Sequence, residues 1–264
     1  IHRRLRLADA PVLLRRHQNV IFLYDGSLQG LLCCVFEAVS GRMLPLDIQP
    51  EQTACPTLFE TCFIETDPAH AARVARSVSR KIGPRARQLV GHVFLSCAPK
   101  KELLILRFLL RGWEEGPRIC NMLGHPDVAP LIDAEKHLLN EAHLLKGFLR
   151  FSDYGGILGA VIGPKNEVLP LLAGHFCQRL GNEEFMIWDK THKVALYWHD
   201  KKAQYFGMEQ FTPPPAGAAE QQYRRMWKRF YDTIAIPQRR NPSLRQNLCP
   251  KRYWAYMHEM EGES

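Results

Sequence analysis

Asp25 is the side chain whose position first suggests chemistry. It follows the β-rich run Asn19–Tyr24 and precedes Gly26. The next residue, Ser27, can cap a helix. The backbone N–H groups of a glycine turn and of a helix N-terminus can bind an anion. The carboxylate of Asp25 would then face the bound anion. The alternative is a plain turn in which Ser27 caps the helix.

Three polar side chains of one long predicted helix form a second candidate group. His137 and Glu141 are four residues apart and therefore share a face, whereas His143 lies on another side of the helix. Such side chains could act as acid, base or metal ligand. The alternative is a solvated or hydrogen-bonded helix face, because the spacing matches no metal motif.

His175 and Arg179 form a third candidate group on a shorter helix. They too are four residues apart, and together they could clamp a phosphate or a carboxylate. The alternative is a structural pair between His175 and an acid such as Asp189. If Asp25, Glu141, His143 and His175 meet in one cleft, they are the candidate catalytic residues of a nuclease or lyase.

The chain lacks the motifs of the large metal- and cofactor-dependent enzyme classes. None of its eight cysteines forms a C-x-x-C pair, and their spacing matches no zinc or iron–sulfur motif. P-loop, Rossmann, zincin, α/β-hydrolase and zinc-deaminase motifs are absent as well. We therefore expect reduced cysteines, no metal site and no cofactor.

The positive charge of the chain is concentrated in two segments. The net charge is +8, yet residues 71–118 hold eleven Lys or Arg against three acids, and residues 223–254 hold nine against one. Each segment therefore carries +8, and the remaining residues sum to −8. Such segregation indicates a polyanionic partner, and nucleic acid is the partner that it favours.

Two sets of residues within these segments are the predicted phosphate and base contacts. Arg73, Arg76 and Arg80 form one stripe of a helix, opposite its apolar face. The C-terminal segment interleaves aromatic and basic side chains, which suits unpaired bases. Its predicted nucleic-acid contacts are Arg239, Arg240, Lys251, Arg252, Tyr253 and Trp254.

The elements that hold these residues alternate between strands and helices, which predicts an α+β fold. Residues 20–127 read as a helix-rich α+β region with short strands at 19–24 and 59–65. Its helices are predicted over 28–40, 68–82, 86–97 and 101–113, the last nearly all apolar and therefore buried.

Residues 128–206 predict an αββαββ antiparallel unit. Its helices cover 128–146 and 168–180, and its strands cover 148–152, 156–162, 185–188 and 193–198. A proline-rich connector at 207–219 leads to a basic, aromatic helical tail at 220–260. The apolar stripe of this tail predicts that it packs back on the main body, with Tyr253 and Trp254 facing outward beside the cations. The members of that stripe are Tyr223, Met226, Trp227, Phe230 and Ile234.

Several segments resemble a bacterial family of proteins associated with DNA metabolism and repair. They are GLLCCVFEA (30–38) after Tyr24–Ser27, EAHLLKGFLRF (141–151), HFCQR (175–179), WKRFYDTIAIPQRRNP (227–242) and PKRYWAYM (250–257). The family is defined by a domain of unknown function found beside, or fused to, a uracil-DNA-glycosylase-like domain. Its members are also encoded near a radical-SAM protein of DNA modification or repair. The resemblance supplies no catalytic residues, and it implies a stand-alone form that acts with separate partners.

These features predict a cytoplasmic protein that binds DNA, and the resemblance implies that it serves repair with a glycosylase-like and a radical-SAM partner. No run approaches the 18 apolar residues of a membrane-spanning helix, and no secretory signal is expected. One alternative is a DNA-processing enzyme that uses the candidate catalytic residues. A second alternative is a protein-interaction adaptor whose charge meets an acidic partner instead of DNA.

Overall fold

The chain forms two compact units that divide inside one long helix. A computed structural model describes residues 16–17, 19–234, 236 and 241–260. Unit 1 is Ile1–Leu138 and unit 2 is Leu139–Ser264. The division lies within helix α5 (Ala129–Phe148), the helix with which the predicted αββαββ unit begins. None of the helices in the described ranges has the length and apolarity needed to span a membrane.

Unit 1 contains two small parallel sheets. Strand β1 (Arg16–His17) pairs with β3 (Met43–Leu44). Strand β2 (Val20–Tyr24) lies between β4 (Asp47–Pro50) and β5 (Glu60–Phe63), parallel to both. Strands β2 and β5 confirm the sequence pattern. The patterns of β3 and β4 are too short to be recognised, since strands of two and four residues contain little alternation.

In the described part of unit 1, four helices precede α5, together with short irregular helical turns. They are α1 (Leu28–Ser40), α2 (Pro68–Ser77), α3 (Pro84–Phe94) and α4 (Lys101–Glu115), with 3₁₀ turns at Glu51–Thr53 and Gly116–Asn121. The side chain of Ser27 accepts a hydrogen bond from Gly30 N, so this predicted N-cap is confirmed, and that of Asp67 accepts from Ala69 N and caps α2 in the same way. Helix α4 is the buried helix of the unit, as its composition predicts; Ile105, Leu106 and Phe108 are among its fully buried residues.

Unit 2 is built on a five-stranded sheet in the order β10-β9-β8-β7-β6. The strands are β6 (Ser152–Asp153), β7 (Ile157–Ile162), β8 (Glu184–Asp189), β9 (Val194–His199) and β10 (Lys202–Gly207). Helix α6 (Leu169–Arg179) connects β7 to β8, and these two strands are parallel. All other neighbouring pairs in this sheet are antiparallel.

The predicted α+β class is confirmed, and three details of unit 2 differ from the sequence prediction. The sheet is mixed, because a helical crossover such as α6 brings the chain back in the same direction. Helix α5 continues to Phe148, so the strand predicted at 148–152 shortens to β6. Strand β10 follows a tight turn at Asp200 and Lys201, both with positive φ, and was not predicted.

The C-terminal tail packs back on unit 2, as predicted. It consists of α7 (Ala218–Ile234), α8 (Pro242–Leu248) and 3₁₀ turns at Lys251–Tyr256 and His258–Met260. Trp254 forms a small core with Cys249, Met257 and Met260, against which Tyr231 of α7 packs. The tail is therefore part of the fold of unit 2.

Candidate functional site

Unit 2 contains an open cleft of about 870 Å³. Its walls come from the end of α5 and the segment after it, from one side of α6, from α7 and from the last 3₁₀ turn. The lining residues are Lys146, Gly147, Leu149, Arg150, Phe151, Phe176, Arg179, Leu180, Glu220, Tyr223, Arg224, Met226, Trp227, Phe230 and His258. Five of these residues are Phe, Tyr or Trp. Four are Lys or Arg, whereas one, Glu220, carries a carboxylate. The cleft therefore combines aromatic rings with positive charge.

Trp227 is an aromatic plate of the cleft and is held on one side by a buried ion pair. The Arg150 guanidinium lies 5.5 Å from the centre of the Trp227 ring. Arg150 Nε donates to both carboxylate oxygens of Glu259, at 3.1 and 3.2 Å. Burial raises the pKa of Glu259, but hydrogen bonds from Arg150 and from the Trp227 side chain outweigh burial and lower it. Trp227 stays 40% exposed although its edge is fixed.

A second ion pair, between Glu220 and Arg224, holds the N-terminal part of α7. Glu220 Oε1 accepts from Arg224 Nε at 2.8 Å, and its other oxygen accepts from Asp153 N at 3.2 Å. Arg224 also donates to Ser152 Oγ at 2.6 Å, and Ser152 Oγ lies 3.1 Å from His258 Nε2. Burial raises the pKa of Glu220, and the bonds from Arg224 and Asp153 reverse that shift to a net lowering.

The apolar stripe predicted to be the buried face of α7 is exposed instead. Tyr223, Met226, Trp227, Phe230 and Ile234 are all large exposed side chains. The helix packs on unit 2 through a neighbouring face, where Glu220 is buried, Lys228 donates to the carbonyl of Glu259 and Tyr231 contacts the tail core. The prediction was wrong because buried carboxylates make this polar face the one that docks.

Glu141 lies fully enclosed in unit 2, away from solvent. Only 1% of it is exposed. Its carboxylate accepts from the backbone N–H groups of Lys165 and Asn166, from the Asn166 amide and from the Tyr253 hydroxyl, and it pairs with Arg252 at 3.1 Å. Burial raises its pKa, but these bonds and the Arg252 charge bring the pKa below its ordinary value. This geometry ties α5 to a loop and to the tail.

The other candidate catalytic residues lie in different surroundings. His143 is exposed on α5. In unit 1, Asp25 closes the turn before α1: its carboxylate accepts from Ser27 N and from the Thr66 hydroxyl, both at 2.8 Å. Slight burial raises the pKa of Asp25, and these hydrogen bonds lower it to a value below the ordinary one. This geometry is the plain turn that the sequence analysis gave as the alternative for Asp25. Gly30 leaves room for the Asp25 carboxylate, since a Cβ on residue 30 would lie 2.3 Å from Asp25 Oδ1.

His175 lies on α6 beside the cleft. Its ring packs edge-on against Phe176, with 4.9 Å between ring centres, and Phe176 lines the cleft. Asp189, the acid suggested for His175, instead pairs with His192, whose Nδ1 lies 2.6 Å from Asp189 Oδ2. That suggestion was wrong, because the tight turn between β8 and β9 brings His192 back to Asp189.

The basic residues among the predicted nucleic-acid contacts fall into three groups. Arg73, Arg76 and Arg80 are exposed in unit 1, along α2 and the π-helical turn Val78–Ile82. Lys251 and Arg252 are exposed in unit 2, although Arg252 is also paired with Glu141. Arg239 and Arg240 lie outside the described residues.

Tyr253 and Trp254 are buried, so their predicted outward orientation was wrong. Tyr253 is 1% and Trp254 is 5% exposed. The Trp254 indole donates to the carbonyl of Cys249 at 2.9 Å. The guanidinium of Arg245 lies over the Trp254 ring at 4.7 Å, and that of Arg252 lies over the Tyr253 ring at the same distance. The local charge therefore comes from cations that cover core rings.

The ion pairs of the buried carboxylates Glu135 and Glu259 have no signal in the sequence pattern, because their partners are distant in the chain. In unit 1, Glu135 is bound by Arg85, and His92 Nδ1 lies 2.8 Å from its carboxylate. In unit 2, Arg150 and Glu259 are the corresponding pair. Among the residues that the structure describes, no group of three or more His, Cys, Asp or Glu side chains is arranged to hold a metal.

A family model matches residues 99–259, and its description is Domain of unknown function (DUF4130). This match covers more than half of the chain. The comparison with curated proteins found no match, and neither did the comparison with solved structures.

Proposed function

We propose that this chain, which belongs to the DUF4130 family, binds DNA at an unpaired base that enters the cleft of unit 2. The observation that carries the proposal is the fixed yet exposed ring of Trp227, held by Arg150 and Glu259 at the wall of a cationic cleft. A ring that is already immobile loses little conformational entropy when a base stacks on it.

The size and chemistry of the cleft support a base as its occupant. Its volume of about 870 Å³ is within the usual range for small-molecule sites. Phe230 lies next to Trp227, with 5.7 Å between the ring centres, so two plates are available. Stacking of a base on an aromatic ring contributes about 1–3 kcal/mol and tolerates different bases.

The charge distribution supports DNA as the molecule that carries this base. In the same proposal, Arg73, Arg76 and Arg80 hold phosphates, since all three are exposed. Lys251 and Arg252 do the same in unit 2. The protein would serve repair in the cytoplasm with a glycosylase-like and a radical-SAM partner, as the resemblance of its sequence implies.

The test compares binding of three fluorescent DNAs: a perfect duplex, the same duplex with a one-nucleotide bulge, and a single strand. We expect the bulged duplex and the single strand to bind more tightly than the perfect duplex. Trp227→Ala should weaken binding of the bulged duplex by about 5- to 150-fold, which corresponds to about 1–3 kcal/mol. Phe206→Ala is the matched control, because Phe206 is 39% exposed on β10 and does not line the cleft.

Two results would contradict the proposal. One is equal affinity for bulged and perfect duplexes, and the other is an equal effect of the Trp227 and Phe206 variants. Binding should also weaken steeply with salt, because phosphate contacts release counterions. If the protein converts a uracil-containing or abasic duplex into a product, the alternative of a DNA-processing enzyme is favoured instead. If it binds a partner protein in the absence of nucleic acid, the alternative of a protein-interaction adaptor is favoured.

A further inference from the structure

The four cations that line the cleft differ in whether a carboxylate neutralises them. Arg150 is paired with Glu259, and Arg224 is paired with Glu220. Lys146 and Arg179 have no carboxylate at ion-pair distance anywhere in the described ranges. Two full positive charges of the cleft are therefore available to a ligand.

His175 adds a third nitrogen group beside these two charges. It is one helical turn from Arg179 on α6, so the two side chains are neighbours. Its Nε2 atom is buried and has no hydrogen-bond partner in the described part of the chain. Burial lowers the pKa of His175, and the positive charges of Lys146 and Arg179 lower it further, in keeping with the position of His175 near both cations.

A cluster of like charges beside an unsatisfied polar atom is unfavourable unless an anion joins it. Each missing partner at a buried polar atom raises the free energy of the folded protein, and so does repulsion between neighbouring cations. A phosphate group removes the repulsion, because its oxygens accept hydrogen bonds from guanidinium and ammonium groups. Lys146 and Arg179 line the cleft, so a phosphate that they bind would lie beside the aromatic plates.

We infer that Lys146 and Arg179, with His175 next to them on α6, form a phosphate subsite of the cleft, so that the ligand is a nucleotide held by both its base and its phosphate. This inference rests on the proposed function, because the aromatic plates are taken to receive the base. The phosphate can be a terminal monoester or an internal diester of DNA. The two sources share the chemistry that the cluster recognises.

The experiment titrates the full chain with thymidine, thymidine monophosphate and the dinucleotide TpT, with binding followed by NMR. We expect at least one phosphorylated ligand to bind about 10-fold or more tightly than thymidine, because charge-assisted hydrogen bonds are strong. Tighter binding of the monophosphate indicates a DNA end or free nucleotide, and tighter binding of TpT indicates an internal phosphate. Equal affinity of all three ligands would overturn the inference.

Paired variants locate the subsite. The double variant Lys146→Gln/Arg179→Gln should abolish the preference for phosphate while leaving thymidine affinity unchanged. Lys202→Gln/Arg225→Gln is the matched control, because both residues are exposed in unit 2 and neither lines the cleft. A preference that survives in the first double variant would overturn the inference, and circular dichroism checks that each variant is folded.

This experiment separates failure of the subsite from failure of the proposed function. Trp227→Ala should weaken thymidine and the monophosphate by the same factor, because it removes the base contact alone. If thymidine affinity does not respond to Trp227→Ala, the base site is wrong. If it does respond while phosphate adds nothing, the base site stands and the subsite is wrong.

Discussion

Trp227 and Trp254 should differ in what their removal does to stability. Trp254 is 5% exposed in the core of the tail, and Trp227 is 40% exposed at the cleft. The difference is roughly a third of a side chain that buries up to about 250 Å², or about 80 Å². At about 25 cal/mol per Å², this area accounts for about 2 kcal/mol.

Both rings also donate a hydrogen bond, so this loss does not change the difference. Trp254→Ala leaves the carbonyl of Cys249 without its indole donor, and Trp227→Ala removes the bond from its ring to Glu259, at about 1 kcal/mol each. We therefore expect Trp254→Ala to lower the free energy of unfolding by about 4 kcal/mol, within the range for core aromatics, and Trp227→Ala by about 2 kcal/mol or less.

Urea unfolding followed by far-ultraviolet circular dichroism measures both values against the wild-type chain. Phe206→Ala provides the reference for an exposed aromatic residue outside the cleft. If Trp227→Ala destabilises the protein as much as Trp254→Ala, Trp227 is a core residue. The reasoning that makes it an available stacking plate would then be refuted.

Three further variants test the remaining assignments. Replacing Arg73, Arg76 and Arg80 together by Ser should leave the protein folded and make the salt dependence of DNA binding shallower, by about one unit of slope for each phosphate that the variant no longer binds; an unchanged slope would end that assignment. Glu141→Gln should lower stability at pH 7 by about 3 kcal/mol. Because the folded pKa of Glu141 lies below its ordinary value of 4.5, its contribution is present above pH 4.5 and is lost as the pH falls through the folded pKa. Urea titrations should therefore show a smaller loss of unfolding free energy below pH 4.5 in Glu141→Gln than in the wild-type chain. Identical pH profiles of the two proteins would contradict the buried network. Asp25→Asn should cost about 0.5–1 kcal/mol in the same titrations and leave any DNA processing intact, whereas loss of processing would make Asp25 catalytic.

Local patterns in the sequence were sufficient for most helices and for the α+β class. Ser27 and Asp67 cap helices by bonding backbone N–H groups two or three residues away, so their signal lies within a few positions. The apolar run of α4 is equally local. The parallel pairing of β7 with β8 is not local, because it depends on where α6 returns the chain.

The face of α7 that docks could not be read from periodicity. Its apolar stripe is the stronger signal, yet the helix is held by Glu220 and Lys228, whose partners lie far along the chain. The same applies to Glu141, which binds Tyr253 across 112 positions. Hydrophobic patterning records which side chains avoid water in general, but it carries no information on which buried carboxylate will find a distant donor.

The tail shows how local charge can mislead. Cations next to Tyr253 and Trp254 suggested an exposed binding surface. In the structure, Arg245 and Arg252 lie over these rings while the rings themselves are buried. A long basic side chain can cover an aromatic ring and keep its charge in water, so neighbouring charge does not establish exposure. The residues available for stacking, Trp227 and Phe230, came from the stripe assigned to the core.

Photocrosslinking tests most directly whether an unpaired base enters the cleft. A duplex carries 5-iodouracil either as a one-nucleotide bulge or paired in a perfect duplex, and mass spectrometry maps the crosslinked peptide. We expect the bulged base to crosslink to Trp227 or Phe230 of α7, and the paired base to do so far less. Crosslinks of the bulged base that fall only outside α7, or equal yields from both duplexes, would contradict this expectation.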